Sequence, residues 1–135
     1  MSSILSIAVS GITAASDRLQ DSASNVANVE SDGPTASASA AQAQYPQAYT
    51  PKELHQVATA GGATRAVTTN VQPATVLAYD PTAPYADQNG DVAQPNVSLA
   101  SEAYQQLTAR YDFVANAYVM RIYSRMMKSL LDIQT

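Results

Sequence analysis

The chain has 135 residues, 46% of them apolar, with eight Tyr, one Phe, and neither Trp nor Cys. Alanine fills 25 positions, so the smallest apolar residue inflates that fraction and little bulky material is left for a core. A net charge of −4 argues against a nucleic-acid binder, and the absence of Cys excludes disulfide frameworks, thiolate metal sites and thiol nucleophiles.

No run approaches the roughly 18 consecutive apolar residues of a membrane span. The short apolar stretch over residues 1–9 has no Lys or Arg ahead of it, and the first basic residue is Arg18. A cleaved secretory signal is therefore not expected.

Three zones separate by their helix breakers. Residues 1–30 hold one Gly and no Pro, residues 31–97 hold all seven Pro and the other four Gly, and residues 98–135 hold neither. This pattern predicts a mainly α fold: an N-terminal helix within 1–30, a central insert over 31–97 and a C-terminal helix within 98–135. The long terminal helices are expected to pack as a coiled coil, with irregular and short β structure between them.

The N-terminal helix carries a heptad. Leu5, Ile12, Leu19 and Val26 fall seven apart, and Ala8, Ala15, Ser22 and Val29 follow each by three. Large residues thus occupy one seam position and mostly small ones the other, which lets a partner backbone come close. Gly11 lowers helix propensity by about 1 kcal/mol relative to Ala, so this helix is marginal by itself. Ser2 or Ser3 is the expected N-cap.

The central zone begins with a low-complexity tract, residues 35–44, made of Ala, Ser, Thr and Gln and expected to be a linker or mobile loop. Residues 45–54 contain Pro46 and Pro51 and read as irregular. Alternation over 65–79 predicts two short strands broken around Gln72-Pro73. Asn89-Gly90 predicts a type I′ hairpin turn. The zone has too few aliphatic side chains to fold well alone and needs the helices or neighbours to lean on.

The C-terminal helix is predicted to start after Pro95-Asn96, with Ser98 as cap or a second possible start at Ser101-Glu102. Its apolar stripe runs Ala103, Leu107, Tyr111, Val114, Tyr118, Ile122, Met126, Leu130 and Ile133. A helix of this length has more apolar surface than its own small chain can wrap, which points to partners. Arg121, Arg125 and Lys128 complement the dipole at its C-terminal end and read as a solvated face.

Catalytic, cofactor and metal chemistry is not expected. His55 is the only His, and its spacing from Glu53 does not suit a helical metal pair. The Asp87–Asp91 stretch has its Gly in the wrong place for a calcium loop. Gly61-Gly62 lacks the Lys-Ser/Thr of a phosphate cradle. Asp80 and Asp87 have no apolar surroundings to raise a carboxylate pKa.

Terminal helices around a weak central insert resemble the bacterial flagellar axial proteins, the rod and hook subunits. The hexapeptide from Ala23 to Asn28 is similar to the signature near the end of the N-terminal helix of rod proteins, with Asn25 and Asn28 at its two Asn positions. Tyr79, Asp80, Pro81 and Pro84, then Ala86-Asp87, Gly90 and finally Pro95, Asn96 and Val97, resemble the passage ahead of the C-terminal helix in a proximal-rod subunit. The resemblance implies a structural subunit of the periplasm-spanning rod, exported unfolded by the flagellar type III apparatus. It further implies self-association, contacts with other proximal and distal rod subunits, and contact with the MS-ring–rod junction protein. Neither a nucleic acid nor a small-molecule substrate is implied. The expected assembly interface is Leu5, Ile12, Leu19 and Val26 on the first helix, with Leu107, Tyr111, Val114, Tyr118, Ile122 and Met126 on the second. A secreted effector or adhesion module with amphipathic terminal helices is the alternative.

Overall fold

The computed structural model describes residues 2–37, 39 and 42–133. Two long helices, α1 (Ser2–Ala27) and α2 (Leu99–Asp132), lie antiparallel against each other. Between them the chain forms a short 3₁₀ turn (Gln42–Gln44) and four strands: β1 (Lys52–Ala58), β2 (Thr64–Asn70), β3 (Thr75–Tyr79) and β4 (Asp91–Pro95). The mainly α class with terminal helices and small β elements is thus as expected.

Each helix end has a local cause. Ser98 is extended (φ −99°, ψ 107°) and its hydroxyl accepts from the Ser101 amide, with Glu102 placing negative charge in the first turn of α2. At the far end of α1, the Asn28 amide and its side-chain Nδ2 both donate to the Ser24 carbonyl and close the last turn. The expected cap at Ser2 or Ser3 gives way to helix from Ser2 onward, and the residue ahead of it, Met1, lies outside the described residues.

The strands form two separate antiparallel ribbons. In the first, Lys52 pairs with Asn70 and Ala58 with Thr64. In the second, Thr75 pairs with Pro95 and Tyr79 with Asp91, and Gly33 adds one bridge to Ala93. The two strands expected around Gln72-Pro73 are β2 and β3, and they fall in different ribbons. Their partners were not anticipated. Residues 52–54, read as irregular, open strand β1, which has no apolar alternation and is held by pairing and by α1.

The β1–β2 ribbon lies along α1. Its seven-residue strand spans about 23 Å, close to the roughly 22 Å of helix between Ser10 and Asn25. The Thr64 amide donates to Ser10 Oγ (3.2 Å) near the ribbon's tip, and Asn25 holds Lys52 at its base. The β3–β4 ribbon has its own small core of Val92, Ala93 and Ala86, closed by the 33–35 segment.

Two expectations for the loops are corrected. A type I′ turn needs positive φ at Asn89, yet no described non-glycine residue has one, and Gly90 alone is at +83°. The turn is instead built on Asp87. Its carboxylate accepts from the amides of Asn89 (2.8 Å) and Asp91 (3.0 Å), while its carbonyl accepts from Gly90. The second correction concerns the tract at 35–44. Residues 38, 40 and 41 lie outside the described residues, but the remainder is tied down. Thr35 is buried, Ser37 reaches Asp87 (3.2 Å), and Gln42 Nε2 donates to the Ala86 carbonyl.

Candidate assembly surface

The heptad of α1 divides its labour between the inside and the outside of the subunit. Its small positions, Ala8, Ala15 and Ser22, are buried in the helix pair, and Ala109 is the buried residue of α2. Between them fall Gly11, Arg18 and Asn25, so the stripe inside the pair steps by three and four residues through 8, 11, 15, 18, 22 and 25. Small side chains let the axes approach.

The large heptad residues point elsewhere. Leu5, Leu19 and Val26 are exposed, Leu19 by 47%, and Ile12 is half-buried. On α2 the sequence stripe is likewise outward: Leu107, Tyr111, Val114, Tyr118, Ile122 and Met126 are all exposed, Tyr111 by 66%. Facing α1 are Glu102, which meets Ser22 and Asn25, Asp112, which meets Arg18, and Asn116, which lies across Gly11, with the buried Ala109 among them. An open groove of about 790 Å³ runs between the helices, floored by Ala15, Ala23 and Ala109 and walled by Leu19, Leu107, Phe113 and Val114.

Polar contacts fix the register of the pair. Arg18 Nη1 donates to Asp112 Oδ2 at 2.7 Å, with the Arg18 side chain only 15% exposed. Ser22 Oγ donates to the Glu102 carbonyl (3.2 Å). Asn25, 1% exposed, makes four hydrogen bonds. Its Nδ2 donates to the Lys52 carbonyl and to Glu102 Oε1 (both 2.8 Å), and its Oδ1 accepts from the Lys52 amide (2.9 Å) and the Tyr49 hydroxyl (3.1 Å). Burial pushes the Tyr49 hydroxyl's pKa up, assisted by the charges of Asp21 and Glu102.

The motif residues do not converge on one chemical centre. Asn25 joins α1, α2 and β1, whereas Asn28 closes the end of α1 and accepts from Ser31 Oγ. The second passage builds the β3–β4 ribbon. Tyr79 ends β3, and its ring lies over Gly90. Asp80 accepts from the Thr82 amide and hydroxyl (3.0 and 2.6 Å), which holds its carboxyl below the ordinary range. Pro81 follows it in the turn, Pro95 is buried at the end of β4, and Asn96 ties back to Pro73 and Ala74. Glu53 and His55 share a strand, 3.8 Å apart and both about half exposed.

Sequence reasoning missed Arg18, Asp112, Glu102, Tyr49 and Lys52. One signal was available: Arg18 and Asn25 fall on the same three-four stripe as Ala8, Gly11, Ala15 and Ser22, which marks them as facing inward.

A helix pair held by small and polar residues, with its bulky apolar side chains left outside, defines an assembling structural subunit. The chain is 35% identical over 135 aligned positions to the flagellar basal-body rod protein FlgC of Escherichia coli O6:H1, covering 94% of this chain and 93% of that protein. The FlgC protein of Salmonella typhimurium strain LT2 matches with the same identity and coverage. No family model matches the chain. The chain belongs to the flagellar basal-body rod proteins. Within that class it is a member of the FlgC family.

Proposed function

We propose that this chain, a structural subunit of the flagellar basal-body rod, polymerises through the outward apolar stripes of α1 and α2. The single observation that carries the proposal is the inversion just described: small residues inside the pair, large ones outside. Each such side chain contributes about 1 kcal/mol when the exposed half of its surface is covered. The two stripes differ in sequence and lie on different helices, so a contact between them is heterologous and propagates into a helical assembly. The proximal part of the rod is the position supported by the match to FlgC proteins.

Partners follow from that position. They are further copies of this chain, other proximal and distal rod subunits, the MS-ring–rod junction protein, and the flagellar export apparatus during delivery. The Leu5–Val26 and Leu107–Met126 positions form the interface, which lies on the two terminal-helix parts of the three-part division and not on the insert. The role is mechanical, with no catalytic step.

The experiment replaces Leu19 and Tyr118 with Asp, singly, and scores motility and rod formation in cells. Both side chains are exposed in the subunit, so the helical circular dichroism of the purified variants should match wild type. Rods should fail to form in both. The control is Ala60→Asp at the exposed tip between β1 and β2, which should leave motility intact. Normal rods in Leu19→Asp and Tyr118→Asp cells would overturn the proposal.

A further inference from the structure

We propose that Asn25 is a positioning residue: a three-way latch that makes docking of the β1–β2 hairpin conditional on α2 being paired with α1. The side-chain amide of Asn has two N–H donors and two acceptor sites, and all four are filled here by three different segments. Lys52 supplies both its amide and its carbonyl, Tyr49 its hydroxyl, and Glu102 of α2 a carboxylate oxygen. Lys52 is the first residue of β1. Asn25 thus holds the base of the hairpin as a neighbouring strand would, offering one donor and one acceptor to the same residue.

The hairpin packs along α1 but has no fully buried residue in either strand. A two-stranded ribbon is marginal alone, and Leu54 is the one residue of β1 that is not exposed. Its other ties to α1 include single bonds from Thr68 Oγ1 to Asp21 Oδ2 (2.7 Å) and from the Thr64 amide to Ser10 Oγ (3.2 Å). Asn25 is the buried tie of the set.

The condition enters through Glu102. Among the described residues no hydrogen bond or ion pair joins Glu102 to β1 directly; the connection runs through Asn25. Loss of the Glu102 carboxylate with α2 seated leaves one N–H of a buried amide without its partner, while unseating α2 removes both that acceptor and the shielding from water that strengthens the bonds to Lys52. Helix pairing and hairpin docking therefore stabilise each other, by an amount that is the same read from either side.

Amide-resolved hydrogen exchange on the full chain in solution tests the latch. Asn25→Ala should speed exchange over residues 52–70 at least tenfold, with less than a threefold change in the β3–β4 ribbon and in the middle of α2. Glu102→Ala should speed the same hairpin amides three- to tenfold although the substituted residue is on α2. Glu102→Gln, which keeps an acceptor oxygen, should return them to within twofold of wild type. The double variant Asn25→Ala/Glu102→Ala should be no faster than Asn25→Ala. Should Asn25→Ala lose its helical signal altogether, the Glu102→Ala and Glu102→Gln pair decides. Unchanged hairpin rates in Glu102→Ala, a loosening spread equally over both ribbons and the helices, or no rescue by Gln would each overturn the proposal.

Discussion

The side-chain amide of Asn116 lies across Gly11 so closely that a β-carbon on Gly11 would stand 2.6 Å from both Nδ2 and Oδ1. Asn116 is not free to step aside without loss, because Nδ2 donates to the Asp112 carbonyl at 2.8 Å. Two effects compete in Gly11→Ala. Alanine gains about 1 kcal/mol of helix propensity, but it displaces a short, bonded side chain in a packed interface, which costs about 1–3 kcal/mol. Steric cost wins, and we expect a net loss of about 1 kcal/mol in denaturant unfolding. With Asn116→Ala already in place the sign should reverse, and Gly11→Ala should then stabilise. Additive effects in that double-mutant cycle would show that the two residues do not interfere.

Arg18 and Asp112 should respond unequally to loss of their partner. Arg18 is mostly buried and its Nε has no hydrogen-bond partner among the described residues, while the Asp112 side chain is 43% exposed. Asp112→Ala leaves a largely buried cation unpaired and should cost about 1–2 kcal/mol, discounted from the fully buried case because solvent reaches this pair. Arg18→Met leaves an exposed carboxylate that water solvates, and should cost less than half as much. Equal losses from urea melts would contradict this account.

The Ser98 cap is a smaller effect. Its hydroxyl accepts from the Ser101 amide at 3.4 Å, a long bond. Ser98→Ala should cost about 0.5 kcal/mol, near the lower end for N-caps, and Ser98→Asp should restore it. A thermal melt of the three proteins is sufficient to check the order.

Acid should act on the central loops in two opposing directions. Backbone amides of Asp91 and Asn89 hold the Asp87 carboxyl below its ordinary range, and Thr82 does the same for Asp80. The unfolded chain binds those protons first, so their stabilisation is present above the ordinary carboxylate value and is lost as pH falls through the folded value. Asp32 is the reverse. Burial raises its pKa, with further help from Asp80 and Glu30, so its contribution is present at low pH and lost as pH rises through its folded value. Carboxyl carbon NMR titration should place Asp80 and Asp87 below, and Asp32 above, the ordinary value of about 3.9. Asp32→Asn should raise the melting temperature at neutral pH.

How much could be read in advance depends on what each element uses to hold itself. The terminal helices announce themselves through the absence of Pro, the scarcity of Gly and their periodicity, and Ser98 caps α2 where its hydroxyl and the breakers ahead of it indicate. The expected interface residues are exposed apart from the half-buried Ile12, yet the pairing of α1 with α2 uses the adjacent stripe, since Ala, Gly and Ser carry too little hydrophobicity to outweigh Leu and Ile in any pattern search. Strand β1 could not be read because Leu54 and Val57 are its only large apolar residues, and they do not alternate. Its position depends on Asn25, twenty-seven residues earlier, a relation that periodicity does not encode. The turn at Asn89-Gly90 misled for a similar reason: the Asp87 carboxylate, two residues upstream, organises it.

The antiparallel course of α1 and α2 has a consequence for how such a chain tolerates change. Both connections into the insert leave the helix pair at the same end, at Ala27 and at Leu99, while the start of α1 and the C-terminal part of α2 lie toward the other. The molecule is in effect a clothes-peg whose jaws and spring are separate parts. Material can be added in the insert, between Ala27 and Leu99, without altering the spacing or rotation of the jaws. Length variation among related subunits should therefore concentrate between the helices. Where the helices meet, a one-residue insertion would turn every following side chain by about 100°, moving alanines out of the pair and leucines into it.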